Sequence, residues 1–150
     1  MRHPRFGGPE KVIAAALAEL ARCASLRAAA PTLRSAPLGH SRRRYANTAA
    51  VIECALAPVE LLAKLQAIEA RFGRRRRGRA WSARVLDLDL ILWDGGCHAC
   101  GDLTLPHPHF RTRGFVLGPA RRIAGTWRDP LTRLTLRQLA ARLDRPRPRP

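Results

Sequence analysis

The stretch Arg84-Val85-Leu86-Asp87-Leu88-Asp89-Leu90-Ile91-Leu92-Trp93 decides how the chain is read, because apolar and acidic residues alternate along it. Alternation with period 2 predicts a strand. Leu86, Leu88, Leu90 and Leu92 then face a core, while Asp87 and Asp89 point together to the other face, about 7 Å apart. Two carboxylates on one face repel each other. A divalent cation relieves that repulsion, and Mg²⁺ is well suited, since it takes one or two carboxylates and keeps positions for water and phosphate oxygens. The simpler reading of the segment alone is a solvated strand face with two ordinary acids. Just upstream, Gly73-Arg74-Arg75-Arg76-Arg77-Gly78-Arg79 is a dense cationic run. An acid pair beside an arginine run is what a metal–polyphosphate site requires.

At 150 residues the chain has one domain's worth of core, expected over residues 1–144. The Arg/Pro alternation of 145–150 is expected to be a disordered tail. The 28 Lys+Arg against 11 Asp+Glu, a net charge of +17, favour anionic partners. Only Lys11 and Lys64 are lysines, and arginine is spread along the whole chain, so the excess reflects a compositional bias as well. Aromatic residues make up 5%, too few for a base-stacking platform, and nucleic acid is not the expected partner. The N-terminal region has no continuous apolar segment of the secretory kind, and no run is long enough to span a membrane. A cytoplasmic location with Cys23, Cys54, Cys97 and Cys100 as thiols is therefore expected. Cys97-His98-Ala99-Cys100 has no second ligand pair and reads as a loop with incidental thiols.

Helical spacing predicts a helix from Pro9 to about Arg22 and a second from Pro58 to about Phe72, closed by Gly73. Thr32–Ala36, Tyr45–Leu56 and Leu103–Leu105 read as strands, Gly95-Gly96 as a turn, and Pro106-His107-Pro108 as irregular chain. Arg113–Ala124 and Leu134–Leu143 read as short helices. This order suggests an α+β fold with helices on one side of a mostly antiparallel sheet.

No glycine-rich phosphate loop is present, so phosphates must be held by arginines and metal, with charge neutralisation carrying the rate. Asn47, Leu61-Leu62…Ile68-Glu69…Gly73-Arg74, Trp81 through Asp89, Leu105-Pro106-His107-Pro108 and Arg113-Gly114-Phe115-Val116-Leu117 occur in that order. Together they resemble the 6-hydroxymethyl-7,8-dihydropterin pyrophosphokinase family of folate biosynthesis over residues 9–125. The resemblance implies a ferredoxin-like α+β fold, a monomer, and transfer of pyrophosphate from ATP to the hydroxymethyl group of the pterin, with AMP released.

By position, the resemblance implies that Asp87 and Asp89 bind two Mg²⁺ ions on the ATP phosphates. Arg84, Arg74, Arg76 and Arg113 would approach the triphosphate, and Trp81 would move with the arginine loop as a lid. Gln66, Glu69, Thr104 and His107 would border the nucleotide. Tyr45 and Phe115 would sandwich the pterin, Asn47 would bond its edge, and Pro37-Leu38-Gly39 would complete that pocket.

The sequence also departs from the family's pattern. The family's first strand and Gly-Ser-Asn-Leu-Gly turn have no counterpart in Met1–Gly8, so that strand is expected to be absent. Ala80 and Asp102 stand where the family has basic residues, and Arg42-Arg43-Arg44 replaces an expected glutamine. The first two should weaken phosphate binding unless Arg75, Arg77 or Arg79 compensates. Two other readings fit the same residues: a non-catalytic relative that keeps a pterin or nucleotide pocket, and a basic nucleic-acid-binding domain using Arg74–Arg79.

Overall fold

The computed structural model describes residues 7–35, 45–73 and 85–145. Helix α1 spans Pro9–Cys23 and α2 spans Pro58–Arg71, each opened by a proline whose missing N–H costs nothing in the first turn. Glu60 Oε2 accepts the Ala57 N–H at 2.8 Å, which satisfies one donor ahead of α2. Gly73, at φ +90, follows the end of α2 in the left-handed region that glycine enters without strain. Val12, Ala16 and Leu20 of α1 meet Leu61, Leu65, Ile68 and Phe72 in one buried cluster. Both helices therefore form where the 3.6-residue apolar stripe predicts them.

Between the helices runs an antiparallel ribbon. Strand β1 (Ser25–Ala29) pairs with β4 (Ala50–Glu53), and β2 (Leu33–Ser35) pairs with β3 (Tyr45–Asn47). Ala30 N donates to Ala49 O at 2.8 Å, and Thr48 Oγ1 donates to Ala30 O at 2.7 Å, so the two pairs are successive stretches of the same two arms. The single strand expected over Tyr45–Leu56 is thus two, interrupted where the Thr48 hydroxyl takes a carbonyl that a ladder would use. The register slips between Leu26 and Ala28, a one-residue bulge at Arg27. Strand β1 goes beyond the sequence expectation, because alanine-rich Leu26–Ala30 carries little β signal.

The segment Arg84–Trp93 requires the main correction. From Val85 to Leu92 it joins no ladder among the described residues, and Trp93 makes only an isolated bridge to Gly96. Its burial still alternates: Leu86 is buried, Leu88 and Leu90 are half-buried, and Asp87 and Asp89 are exposed. Alternation sets which side chains are covered, whereas a strand also needs a paired backbone. Two of its backbone groups bond elsewhere: Leu88 N donates to Glu69 Oε1 at 2.8 Å, and Ile91 O accepts His107 N at 2.9 Å.

Strand β5 (His98–Cys100) pairs with β6 (Leu103–Leu105) through the two-residue turn Gly101-Asp102, with Gly101 at φ +55. The Cys97–Cys100 stretch is therefore half of a hairpin rather than a loop, and all four cysteines are free. A 3₁₀ turn, Phe110–Thr112, leads into α3 (Gly114–Ala124) and α4 (Leu136–Leu143). Thr135 Oγ1 accepts Gln138 N at 3.1 Å and Gln138 Oε1 accepts Thr135 N at 2.9 Å, a reciprocal cap that starts α4.

Helices lie on both sides of the ribbon, not one. Ile52 packs with the α1–α2 cluster, while its neighbour Val51 packs with a second cluster of Phe110, Leu117, Leu136 and Leu139. Consecutive strand residues face opposite sides, so an apolar pair at 51–52 needs cover on both. Leu92, expected on the face of Leu86, Leu88 and Leu90, belongs with Ile91 to this second cluster. The class is α+β, with small antiparallel strand pairs and four helices among the described residues. Among the same residues, no helix is long and apolar enough to cross a membrane.

Candidate functional site

A cleft of about 180 Å³ opens beside the Asp segment, lined by Leu62, Leu88, Asp89, Leu90, Asp102, Leu103, Thr104, His107 and Pro108. Helix α2 supplies its Leu62 wall. Glu69, on the same helix, is only 1% exposed and holds Leu88 by its backbone N–H. That bond sets the register of the Asp segment on α2 and so decides that Asp89 reaches the cleft. In β6, Leu103 and Leu105 are buried, which sends Asp102 and Thr104 out on one common face. His107 is tied to the segment through its N–H on Ile91 O, and its Nδ1 accepts His109 N at 3.2 Å. A neutral His107 ring then carries its proton on Nε2, which remains as a donor.

Five of the chain's 11 acids are matched to arginines among the described residues. Glu10, Glu19, Glu53, Asp129 and Asp144 each form an ion pair. Asp89 and Asp102 form none among the described residues, and both line the cleft. Of the expected site residues, the cleft brings together Asp89, Thr104 and His107. Asp87 is exposed on the far side of Leu88, and Gln66 is half-buried one turn along α2 from Leu62. Glu69, on the helix expected to border the nucleotide, is buried beneath the segment and accepts its Leu88 N–H.

A second group of expected residues lies on a different pair of elements. Helix α3 packs against β2, β3 and β4. It carries Phe115, whose ring centroid is 5.9 Å from the Arg113 guanidinium carbon, and β3 carries half-buried Asn47 and Tyr45, which is 44% exposed. Pro37, Leu38, Gly39, Arg74, Arg76, Trp81 and Arg84 lie outside the described residues. Of the lining residues, apolar Leu62, Leu88, Leu90, Leu103 and Pro108 have no site role in the sequence reading, and the polar one it names only as a departure from the family's basic residue is Asp102. The Asp-Leu-Thr-Leu alternation at 102–105 is a usable signal for it, because it places Asp102 and Thr104 on one strand face.

Among the described residues, no group of three or more His, Cys, Asp or Glu side chains is arranged to hold a metal ion. Two exposed aspartates separated by one residue fit Mg²⁺ better than a fully protein-ligated cation, because Mg²⁺ fills its other positions with water and phosphate oxygens.

The support of the Asp segment is testable. Glu69→Ala removes the acceptor for the Leu88 N–H in a buried place, and an unsatisfied buried donor costs about 1–3 kcal/mol. The variant is expected to unfold at lower urea by that amount, with Glu69→Gln, which keeps an acceptor, falling between. An unchanged midpoint for Glu69→Ala would mean that the bond contributes nothing.

Residues 5–125 match the family described as 7,8-dihydro-6-hydroxymethylpterin-pyrophosphokinase (HPPK). The chain is 39% identical over 126 residues to a Synechocystis protein named 2-amino-4-hydroxy-6-hydroxymethyldihydropteridine pyrophosphokinase, covering 84% of this chain and 61% of that one. It is 39% identical over 125 residues to a Pseudomonas aeruginosa protein of the same name, covering 81% of this chain and 76% of that one. A Haemophilus influenzae protein, again of that name, is 41% identical over 92 residues, with 61% of this chain and 57% of that one covered. The chain thus spans less than two thirds of the length of the Synechocystis and Haemophilus relatives.

Proposed function

Since the chain belongs to the 7,8-dihydro-6-hydroxymethylpterin-pyrophosphokinase family, we propose that it transfers the pyrophosphoryl group of ATP to 6-hydroxymethyl-7,8-dihydropterin. The hydroxymethyl oxygen attacks the β-phosphorus, the bond from that phosphorus to the α–β bridging oxygen breaks, AMP leaves, and the hydroxyl proton passes to solvent. The product is the pterin diphosphate. The observation that carries the reading is the Asp87-Leu88-Asp89 segment, clamped by Glu69 so that Asp89 lines a cleft with Thr104 and His107.

In this reading Asp87 and Asp89 would hold Mg²⁺, two ions in all, which supplies charge neutralisation at the triphosphate when bound. The chain's own groups do the rest. Thr104, His107 and Gln66 border the nucleotide, and the apolar wall of Leu62, Leu88 and Leu90 excludes water from it. Arg74, Arg76, Arg84 and Arg113 balance the phosphate charge, which spreads further as the bond breaks. Tyr45 and Phe115 clasp the pterin ring, with Asn47 and the Pro37-Leu38-Gly39 backbone reading its edge. Packing of α3 against β3 supports that grouping, since it brings the elements bearing these residues together. The ribbon, flanked by helices on both sides, belongs to a ferredoxin-like architecture over residues 1–144, working as a cytoplasmic monomer with a short Arg/Pro tail.

The test is direct. With ATP, Mg²⁺ and 6-hydroxymethyl-7,8-dihydropterin, chromatography should show AMP appearing in step with the pterin diphosphate. Formation of ADP, or tight pterin binding with no AMP at high protein concentration, would reject the reading.

A further inference from the structure

The two arms of the ribbon are unequal at their middle. Ala29 pairs with Ala50 and Leu33 with Asn47, so three residues, Ala30-Pro31-Thr32, face two, Thr48-Ala49. Pro31 sits in the longer arm, at the kind of irregularity where sheets tolerate proline. Ala30 N donates to Ala49 O at 2.8 Å, but Ala30 O accepts the Thr48 hydroxyl at 2.7 Å. Ala30 is 6% exposed, so its carbonyl needs a donor from the protein. A regular ladder would take that donor from the Ala49 N–H. The Thr48 side chain supplies it instead, the first register stops there, and one shifted by a residue begins at Leu33.

The shift decides which residues share a face. Residues directly opposite each other in an antiparallel pair lie on one side of the sheet. Leu33 and Arg34 point to opposite sides: Leu33 Cδ1 lies 3.6 Å from where a Cβ on Gly118 of α3 would sit, and Arg34 Nε donates to Glu10 Oε1 of α1 at 2.7 Å. Asn47, paired with Leu33, is therefore on the α3 side, as is Tyr45 two residues before it, and α3 carries Phe115. In the unshifted register Leu33 would pair with Ala46, and Asn47 would turn to the α1 side.

Resting on the pyrophosphokinase reading above, we propose that Thr48 is a positioning residue for the pterin: its hydroxyl, bonded to Ala30 O, fixes the register that turns Asn47 and Tyr45 toward the helix of Phe115. It acts through those two residues and not on the substrate itself.

The experiment is calorimetric titration of the full chain with α,β-methylene-ATP in Mg²⁺, and then with 6-hydroxymethyl-7,8-dihydropterin on that complex, for the wild type, Thr48→Val and Thr48→Ser. AMP formation from ATP and the cross-strand nuclear Overhauser contacts between Leu33 and Asn47 are measured in parallel. Thr48→Val keeps the shape and removes the donor. It is expected to bind the pterin about tenfold or more weakly, the scale of one hydrogen bond lost from the ring, and the ATP analogue within about twofold of the wild type. Its Leu33–Asn47 contacts should weaken. Thr48→Ser, which keeps the hydroxyl, should match the wild type in both. Thr48→Ala, whose smaller side chain lets water reach Ala30 O, takes the place of Thr48→Val if that variant does not fold. Wild-type pterin affinity without the hydroxyl overturns the proposal. So does equal weakening of pterin and ATP analogue, a loss in Thr48→Ser, or no pterin binding by the wild type. If pterin affinity and the Leu33–Asn47 contacts depend on the hydroxyl but no AMP forms, the pyrophosphokinase reading fails and the assignment of Thr48 stands. If AMP forms and pterin affinity ignores Thr48, the reverse holds.

Discussion

Replacing Asp87 and Asp89 together by alanine is expected to lower AMP formation by about 10³-fold or more, since a single preorganised electrostatic group is worth roughly 10²–10³. Both side chains are exposed, so their loss opens no cavity. Urea unfolding should therefore shift by less than about 0.5 kcal/mol, the usual scale for surface substitutions. The single variants Asp87→Asn and Asp89→Asn should each lose most of the rate, and their losses should not add, because in the proposed reading the two carboxylates would act on one Mg²⁺-bearing triphosphate. Raising Mg²⁺ should recover part of the single-variant rate and little of the double-variant rate. Stopped assays across a Mg²⁺ series check this. A double variant with wild-type AMP formation would remove the Asp pair from the chemistry.

The second large effect concerns stability. Asp129 is 0% exposed, and its two oxygens accept the Arg111 guanidinium at 2.7 and 2.6 Å. The Thr132 hydroxyl donates to it at 2.6 Å and Leu131 N at 3.2 Å. Arg111 lies in turn over the Phe110 ring, 4.7 Å from its centroid. Burial by itself would raise the Asp129 carboxyl, but the hydrogen bonds from Arg111, Thr132 and Leu131 outweigh it and hold the group at about 2. Asp129→Ala leaves the Arg111 charge without its partner, and breaking a buried pair from one side costs about 3–5 kcal/mol.

The pH dependence follows from the sign of that shift. The folded value, about 2, lies below the ordinary 3.8. The contribution is therefore complete above the ordinary range and is lost as pH falls from about 4 toward 2, amounting to on the order of 2 kcal/mol. Wild-type urea midpoints should decline across that window, while Asp129→Asn, already weakened at neutral pH, should lack this component of the decline. Identical acid profiles for the two proteins would contradict the assignment. AMP formation per folded molecule should change little, since Asp129 does not line the cleft.

The helices were legible because their determinants are local. Pro9 and Pro58 preset the first turns, and Val12, Ala16 and Leu20, like Leu61, Leu65, Ile68 and Phe72, recur at helical spacing. The hairpin at 98–105 was half legible: Leu103–Leu105 alternates, but His98–Cys100 is short and mostly exposed, and becomes a strand only through its partner. Strand β1 was invisible for a related reason, since Ser25–Ala29 is ordered by pairing with Ala50–Glu53 and by α1 beside it. For the site, the Asp pair could be named from the alternation, and Thr104 and His107 only through the family resemblance. That the latter two share a cleft with Asp89 could not.

The sequence by itself determined the two amphipathic helices, the alternation that exposes Asp87 and Asp89 while covering Leu86, and the excess of arginine over acid. These are properties of residues within a few positions of one another. Only the tertiary structure decided that the Asp segment is held by a buried carboxylate instead of a strand ladder, that helices cover both faces of the ribbon, and that Asp102 joins Asp89 in one cleft. Leu88 and Glu69 are 19 residues apart, and whether a backbone N–H meets a strand or a side chain depends on which groups folding buries beside it.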